Sequence, residues 1–157
     1  MADEKRVVLL VEDDDVYRES IHRLLDSEYQ LLDAATGQQA LTLLETHAPE
    51  CVLLDFRLPD FSGLKLMPKF LERKLPVVML TAEGSEQVAV EALKAGCLDY
   101  LVKRDLTAVL LKRTVFNAID RNALQRQLEA TRRELESFVA TAAHDLKAPL
   151  RAISTFS

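Results

Sequence analysis

The chain has 157 residues, 48% of them apolar, and a formal net charge of −5. This composition excludes a wholly disordered chain and allows one ordinary globular domain with an appendage. The acidic balance and the aromatic content of only 6% argue against a nucleic-acid binder, which would rely on phosphate attraction or base stacking.

The sequence also lacks the segments that mark membrane or secreted proteins. No run of about 18 apolar residues could span a bilayer, and the amino end lacks the basic-then-apolar order of a signal peptide. The two cysteines, Cys51 and Cys97, have neither the spacing of a disulfide framework nor that of metal ligands. We therefore expect a cytoplasmic protein with no membrane span, in which both cysteines are reduced core thiols.

Short, continuous apolar runs alternate with amphipathic helical patterns along the front of the chain. Such runs favour strands buried on both faces of a parallel sheet. Helix N-caps are expected at Asp14 or Asp15, at Thr36 and at Ser62. The alternation predicts an α/β fold, with an open, doubly wound, five-stranded parallel sheet and right-handed crossovers. The strand candidates are residues 7–11, 29–32, 51–54, 77–80 and 100–102.

Groups that could carry chemistry lie at the ends of four of these strands. Glu12 and Asp13 follow the first strand, and Asp55 follows the third. Thr81 follows the fourth strand and Lys103 the fifth, which adds a hydroxyl and an ammonium. Because ligands of such folds lie beyond the carboxyl ends of the strands, at least three carboxylates are expected to meet there. Crowded carboxylates need a cation or a shared proton, and oxygen ligands suit a hard ion such as Mg²⁺.

This set of groups is suited to phosphoryl transfer onto Asp55. The carboxylate would act as the nucleophile and become an acyl phosphate. The metal and Lys103 would neutralise charge on the phosphoryl oxygens, and Thr81 would donate a hydrogen bond to one of them. Each residue alone has a plain structural reading as a cap, a turn residue or a solvated surface group. Complementary groups at four strand ends favour the functional reading.

Four motifs match, in order and spacing, those of a known family. They are residues 7–14 (VVLLVEDD), 52–63 (VLLDFRLPDFSG), 77–82 (VVMLTA) and 95–103 (AGCLDYLVK). Through them the chain resembles the response-regulator receiver domains of two-component signalling. The resemblance implies a flavodoxin-like receiver domain over residues 1–120, with Asp55 as the phosphoacceptor. It also implies Mg²⁺ or Mn²⁺ as the cofactor, and a cognate histidine kinase or a small phosphodonor as the partner.

The resemblance further assigns roles to single residues. Thr81 and Tyr100 would be a switch pair, in which the hydroxyl moves toward the phosphoryl group and the ring turns inward. The metal ligands that it implies are Asp13, Asp55, the backbone carbonyl of Arg57 and, mostly through water, Glu12.

One position departs from the family pattern. Arg104 follows Lys103, where receiver domains usually have a cis-proline. Since a cis bond without proline costs roughly 2.5–4 kcal/mol, we expect a trans Lys103–Arg104 bond and a rearranged loop.

The sequence behind the receiver-like part predicts one long helix. Residues 105–148 contain neither glycine nor proline. Apolar or small side chains recur there with the spacing 4-3-4-3-4 of a coiled-coil seam, and the charged residues lie off this seam. Because a single helix cannot bury such a seam, we predict a parallel homodimer through a C-terminal coiled coil. The seam consists of Leu124, Leu128, Thr131, Leu135, Phe138 and Ala142.

A histidine motif follows the seam. Asp145 lies beside His144, where it can orient the imidazole and accept a proton. Pro149 is expected to bend or interrupt the helix one turn later. Residues 138–153 (FVATAAHDLKAPLRAI) resemble the H-box of histidine kinases, in which the helical histidine is autophosphorylated on a dimeric bundle.

The H-box resemblance implies how the tail is organised. Residues 121–157 would be a coiled-coil linker followed by the first helix of a truncated dimerisation and phosphoacceptor domain. Since no glycine-rich nucleotide motif is present, we expect a piece of a larger histidine kinase without ATP-dependent activity of its own. The other histidines, His22 and His47, have no such context and are expected at the surface.

Three functions are compatible with this sequence. In the first, phosphorylation of Asp55 acts through Thr81 and Tyr100 on the long helix and on the presentation of His144. In the second, the protein is a phosphotransferase in which His144 and Asp55 exchange phosphate within the dimer. In the third, it is a pseudo-receiver that is never phosphorylated and acts in dimerisation or partner docking.

Overall fold

A five-stranded parallel sheet forms the centre of the fold, as the sequence predicts. The computed structural model describes residues 4–82 and 84–156, with side chains as far as residue 150. The strands lie in the order β2-β1-β3-β4-β5. In chain order the elements are β1 (Arg6–Val11), α1 (Asp15–Leu25), β2 (Tyr29–Ala34), α2 (Gly37–Thr46), β3 (Cys51–Asp55), α3 (Gly63–Glu72), β4 (Val77–Thr81), α4 (Glu86–Lys94), β5 (Asp99–Val102), a 3₁₀ turn (Lys103–Asp105) and α5 (Ala108–Phe156).

Alternate residues of the buried strands enter two separate cores, because neighbouring side chains of a strand point to opposite faces. Leu10 and Leu53 pack with residues of α1 and of the first turns of α5. Leu9 and Leu54 pack with residues of α2, α3 and α4. Helices therefore cover both faces of the sheet, which makes the fold doubly wound and flavodoxin-like. Cys51 and Cys97 are buried free thiols in these cores.

Polar caps begin the helices close to the strand ends. The Asp14 carboxylate accepts hydrogen bonds from the backbone N–H groups of Val16 and Tyr17, at 2.9 and 3.1 Å. Asp14 is thus the cap of α1, and Asp15 is the first helical residue. Thr36 and Ser62 cap α2 and α3 in the same way, as predicted. Each cap satisfies backbone donors that the first helical turn leaves free, which fixes where the chain turns after its strand.

The long helix differs from its prediction at both ends. It begins at Ala108 rather than at residue 105, because Lys103–Asp105 form a 3₁₀ turn and the Thr107 hydroxyl then caps the α-helix. Of the two outcomes expected at Pro149, the interruption is wrong, since the helix continues to Phe156, and the bend stays a prediction. A proline removes one backbone hydrogen bond, which a long helix with intact neighbouring turns can tolerate.

The chain divides into two compact units, with the boundary between Asn122 and Ala123. The sheet, α1 to α4 and the start of α5 form the first unit, and the rest of α5 forms the second. The structure does not describe the side chains of three residues of the H-box motif, Arg151, Ala152 and Ile153. Ser157 lies wholly outside the described residues. Among the described residues, no helix is both long enough and apolar enough to cross a membrane.

Candidate functional site

The carboxyl ends of four strands surround a cavity of about 320 Å³. Its polar lining is contributed by the last residues of β3 and β4 and by the segments that directly follow β1, β3 and β5, as the rule for open parallel sheets predicts. Residues far apart in the sequence thereby meet in one place. The lining residues are Glu12, Asp13, Asp14, Asp55, Phe56, Arg57, Thr81, Ala82 and Lys103.

Three carboxylates crowd this cavity. Glu12, Asp13 and Asp55 each offer an oxygen, and these oxygens all lie within 4.8 Å of one another. Glu12 is fully buried and Asp55 is 6% exposed, whereas Asp13 is exposed. The backbone N–H of Arg57 donates to Asp55 Oδ1 at 3.2 Å, and that of Asp14 donates to Glu12 Oε1 at 3.2 Å. Backbone groups thus orient both buried carboxylates.

Lys103 reaches into the same cavity. Its Nζ lies 2.7 Å from Glu12 Oε2 and 3.2 Å from Asp55 Oδ2. The Lys103–Arg104 bond is trans, as expected, since the described residues include no cis peptide. Burial lowers the pKa of Lys103, but hydrogen bonds and charges from Glu12 and Asp55 outweigh it and raise the pKa above its ordinary value. The side chain therefore remains an ammonium.

The charges in the cavity are unbalanced. Among the described lining residues, four carboxylates (Glu12, Asp13, Asp14 and Asp55) stand against two cationic side chains, Lys103 and Arg57. Burial and the nearby charge of Asp55 raise the pKa of Glu12 to about 7, although Lys103 opposes this shift. A further cation would relieve the repulsion, and Mg²⁺ prefers oxygen ligands of this kind. The donor set therefore fits a hard divalent ion.

Of the predicted switch pair, Thr81 and Tyr100, Thr81 is among the residues that line the cavity. Thr81 is 2% exposed. Tyr100 is half-buried in β5, opposite Met79 of β4, and packs against the core that α2, α3 and α4 cover. Its ring is not part of the cavity lining described above.

The histidine motif lies in the second unit of the chain. His144 and Asp145 are both exposed on α5. His22 is at the surface, as expected, but only partly exposed, and it lies 2.7 Å from Asp33 Oδ1 and 3.1 Å from Asp26 Oδ1. His47 is exposed, as expected.

One aromatic residue beside the cavity was not singled out from the sequence. Tyr17 of α1 follows the periodic apolar pattern of that helix, which indicates only a core position. In the structure, Lys103 Nζ lies 4.6 Å from the centroid of the Tyr17 ring. The available signal was its place in the first turn of a helix that starts at the acidic strand end.

A family model decides the relationship that the motifs suggest. The model for the response regulator receiver domain matches residues 8–114, more than half of the chain. The chain belongs to the response regulator receiver family. It therefore carries a receiver domain of two-component signalling, with the acidic cluster of Glu12, Asp13 and Asp55 at the carboxyl edge of its sheet.

Relatives of this receiver domain support the same placement. The transcriptional regulatory protein SrrA of Staphylococcus aureus is 37% identical over 98 residues, which cover 61% of this chain and 41% of SrrA. The chain thus spans about two fifths of the length of the curated relatives it matches.

Two solved structures are also similar. One is the receiver domain of the sensor histidine kinase PA1611 from Pseudomonas aeruginosa, with magnesium coordinated in its active-site cleft. It is 29% identical, has a TM-score of 0.68 and covers 74% of this chain and 99% of its own. The other is a fusion with a trimeric coiled-coil segment of yeast Spc42. It is 25% identical, has a TM-score of 0.74 and covers 90% of this chain and 99% of its own.

Proposed function

We propose that this protein is a Mg²⁺-dependent phosphoacceptor, and that Asp55 takes the phosphoryl group from a cognate histidine kinase or a small phosphodonor. One observation carries the proposal: the Asp55 carboxylate lies in a cavity with two further carboxylates and the ammonium of Lys103. We place the function in the cytoplasm, where free thiols such as the buried Cys51 and Cys97 persist.

The reaction is a substitution at phosphorus. An Asp55 oxygen forms the new P–O bond, while the bond from phosphorus to the donor's leaving atom breaks and its electron pair departs with the leaving group. Lys103 is placed to stabilise the negative charge of the equatorial phosphoryl oxygens, and the Thr81 hydroxyl to donate a hydrogen bond to one of them.

The metal would be held by the carboxylates of the cavity. When bound, Mg²⁺ or Mn²⁺ supplies positive charge for the phosphoryl oxygens. Binding would also offset the repulsion from Asp55 that, together with burial, raises the pKa of Glu12. The proposed ligands are Asp13, Asp55, the backbone carbonyl of Arg57 and, mostly through water, Glu12.

Phosphorylation is tested by treating the protein with a small acyl phosphate, with and without Mg²⁺. We expect mass spectrometry to detect one added phosphoryl group in wild type and none in Asp55→Asn. Asp120→Asn, a matched change at an exposed carboxylate of α5, is expected to label like wild type. Labelling that persists in Asp55→Asn would contradict the assignment of Asp55. Calorimetry that detects no Mg²⁺ binding would favour a pseudo-receiver instead.

The proposed output passes from the cavity to the long helix. Phosphorylation would draw the Thr81 hydroxyl toward the phosphoryl group and turn the half-buried Tyr100 ring inward. Tyr100 lies in β5, the strand that directly precedes the loop to α5. A change at this strand can therefore reach α5 through the chain itself.

For the tail we propose a parallel homodimeric coiled coil. The larger seam residues Leu124, Leu128, Leu135 and Phe138 are 58%, 64%, 60% and 70% exposed in the single chain. A second copy would cover them through knobs-into-holes packing. In light scattering we expect a dimer for wild type and a monomer for Leu128→Lys, whereas Ala130→Lys adds the same charge off the seam and should remain a dimer. A monomeric wild type would refute the proposal, and a trimer would replace it with the oligomer of the Spc42 fusion.

Exposed leucine and valine side chains continue beyond the seam at a regular interval. Leu124, Leu135 and Leu146 are each eleven residues apart, and Leu128, Val139 and Leu150 repeat the interval. An eleven-residue repeat follows a nearly straight helix more closely than a heptad does. They continue the apolar stripe into the histidine motif; since an eleven-residue repeat favours a right-handed supercoil, the left-handed heptad packing is proposed for residues 124–142 only.

A second candidate function, phosphate exchange between His144 and Asp55 within a parent kinase dimer, is favoured by the exposure of His144. His144 is two residues from both Ala142 and Leu146, so it lies about 200° around the helix from each and faces away from the apolar stripe. We expect phosphohistidine on wild type, but not on His144→Gln, when a soluble ATP-binding fragment of a histidine kinase and ATP are added. Label on neither protein would reject this candidate.

A further inference from the structure

The ammonium of Lys103 is contacted from two sides. On one side lie the carboxylates of Glu12 and Asp55, at 2.7 and 3.2 Å. On the other side lies the face of the Tyr17 ring, with 4.6 Å between Nζ and the ring centroid. This distance is within the range of a cation–π interaction, in which the negative face of an aromatic ring attracts a cation.

Lys103 also lines two cavities. One is the acidic cavity, and the other is a second cavity of about 290 Å³. The second cavity offers the lysine side chain an alternative space. Its lining consists of Tyr17, Ser20, Arg23, Leu24, Lys103 and Leu106. The two carboxylates and the Tyr17 ring are the contacts that can keep the ammonium in the acidic cavity.

We infer that Tyr17 is a positioning residue that holds the Lys103 ammonium in the acidic cavity through its ring. The inference rests on the proposed phosphoacceptor function and adds a residue to it. Arg104 stands where the family usually has a proline, so no proline fixes the loop. Lys103–Asp105 form a 3₁₀ turn instead. The position of the ammonium consequently depends on its side-chain contacts.

The ring of Tyr17, rather than its hydroxyl, carries this role. The hydroxyl oxygen is buried and has no hydrogen-bond partner among the described residues. The backbone of Tyr17 is fixed in the first turn of α1: its N–H donates to the Asp14 carboxylate at 3.1 Å, and its carbonyl accepts from Ser20 Oγ at 2.6 Å. The cap that follows the acidic strand end thus sets the backbone position from which the ring extends.

Substitutions of Tyr17 separate the effect of its aromatic face from the effect of filling the same space with an apolar side chain. Tyr17→Leu removes the aromatic face but keeps an apolar side chain, and we expect labelling by an acyl phosphate to slow about two- to thirty-fold. Tyr17→Phe keeps the aromatic face and is expected to retain most of the wild-type labelling rate. Tyr17→Met, measured alongside, provides a second non-aromatic variant should Tyr17→Leu fold poorly. Equal rates for all three variants and wild type would overturn the inference.

A double-mutant cycle tests whether Tyr17 acts through Lys103. In a Lys103→Met background, Tyr17→Leu should cause no further loss, because the cation that the ring holds is gone. An undiminished loss in that background would overturn the inference. Tyr17→Leu should also leave Mg²⁺ affinity unchanged or increased, since a displaced ammonium competes less for the carboxylates. A parallel fall in Mg²⁺ affinity would indicate general damage to the site and would count against the inference.

The metal-free protein offers a readout independent of activity. Protons on the Lys103 ε-carbon should show an upfield ring-current shift in NMR spectra of wild type and Tyr17→Phe, but not of Tyr17→Leu. The absence of that shift in wild type would overturn the inference even if phosphorylation proceeds normally. Conversely, a wild type that never labels would refute the proposed function, whereas labelling that ignores Tyr17 would refute only this inference.

Discussion

Leucines of the receiver unit and of the tail have opposite surroundings. Leu9, Leu53 and Leu54 are fully buried between the sheet and its helices, whereas Leu128 and Leu135 of the tail are 64% and 60% exposed. The receiver unit thus has a core of its own, whereas the tail leaves these leucines exposed in the single chain. The stability of the receiver should therefore depend on its own core, and that of the tail on the proposed association.

The largest effect should come from a core leucine. Leu53→Ala is expected to lower the free energy of unfolding by about 2–5 kcal/mol, because it leaves a cavity where the fully buried Leu53 side chain packs in the core. Leu128→Ala removes the same atoms from an exposed site and should leave receiver unfolding nearly unchanged. Tyrosine fluorescence in urea can follow this transition selectively, since Tyr17, Tyr29 and Tyr100 all precede the tail. Similar losses in the two variants would mean that the units do not unfold separately.

A smaller effect is expected where α3 begins close to Asp55. A Cβ at Gly63 would lie 2.5 Å from the carbonyl oxygen of Asp55 and 3.2 Å from Phe56 Cα. Gly63→Ala must therefore shift backbone, and we expect it to cost about 1–3 kcal/mol and to slow labelling of Asp55.

Gly84→Ala provides the control for this change. Its nearest neighbour would be the flexible Arg104 side chain, at 3.3 Å, so both stability and labelling should stay close to wild type. Wild-type labelling of Gly63→Ala would indicate that the backbone beside Asp55 can move without affecting the site.

The sequence predicts the site better than it predicts the contacts around it. The strand-end rule needs only the order of elements, so it places Glu12, Asp55 and Lys103 together without any packing detail. Tyr17 could not be assigned in this way, because apolar periodicity identifies the buried side of a helix but not which side chain of another element it meets. That contact depends on how α1 and the loop after β5 approach each other.

The start of α5 and the contacts of His22 could be predicted from the sequence only in part. The late start of α5 depends on the 3₁₀ turn at Lys103, which no breaker residue in the sequence indicates. Asp26 lies four residues after His22 on the same helix face, so its contact could have been expected from helical spacing. Asp33 belongs to β2, and its contact with His22 appears only once α1 packs against the sheet.

The smallest expected effect distinguishes His22 of the receiver unit from His144 of the tail. Burial lowers the pKa of His22, but hydrogen bonds and charges from Asp33 and Asp26 outweigh it and raise the pKa above 6.5. A raised folded-state pKa stabilises the protein below the unfolded pKa, and this stabilisation is lost as the pH rises through the folded value. His22→Gln should therefore destabilise the receiver unit more at about pH 5.5 than at about pH 8.5, by less than about 1 kcal/mol for a partly exposed ion pair. His144→Gln should change receiver unfolding at neither pH. Tyrosine fluorescence in urea measures both variants, and a loss for His22→Gln that is independent of pH would mean that packing, rather than its charge, is what this histidine contributes.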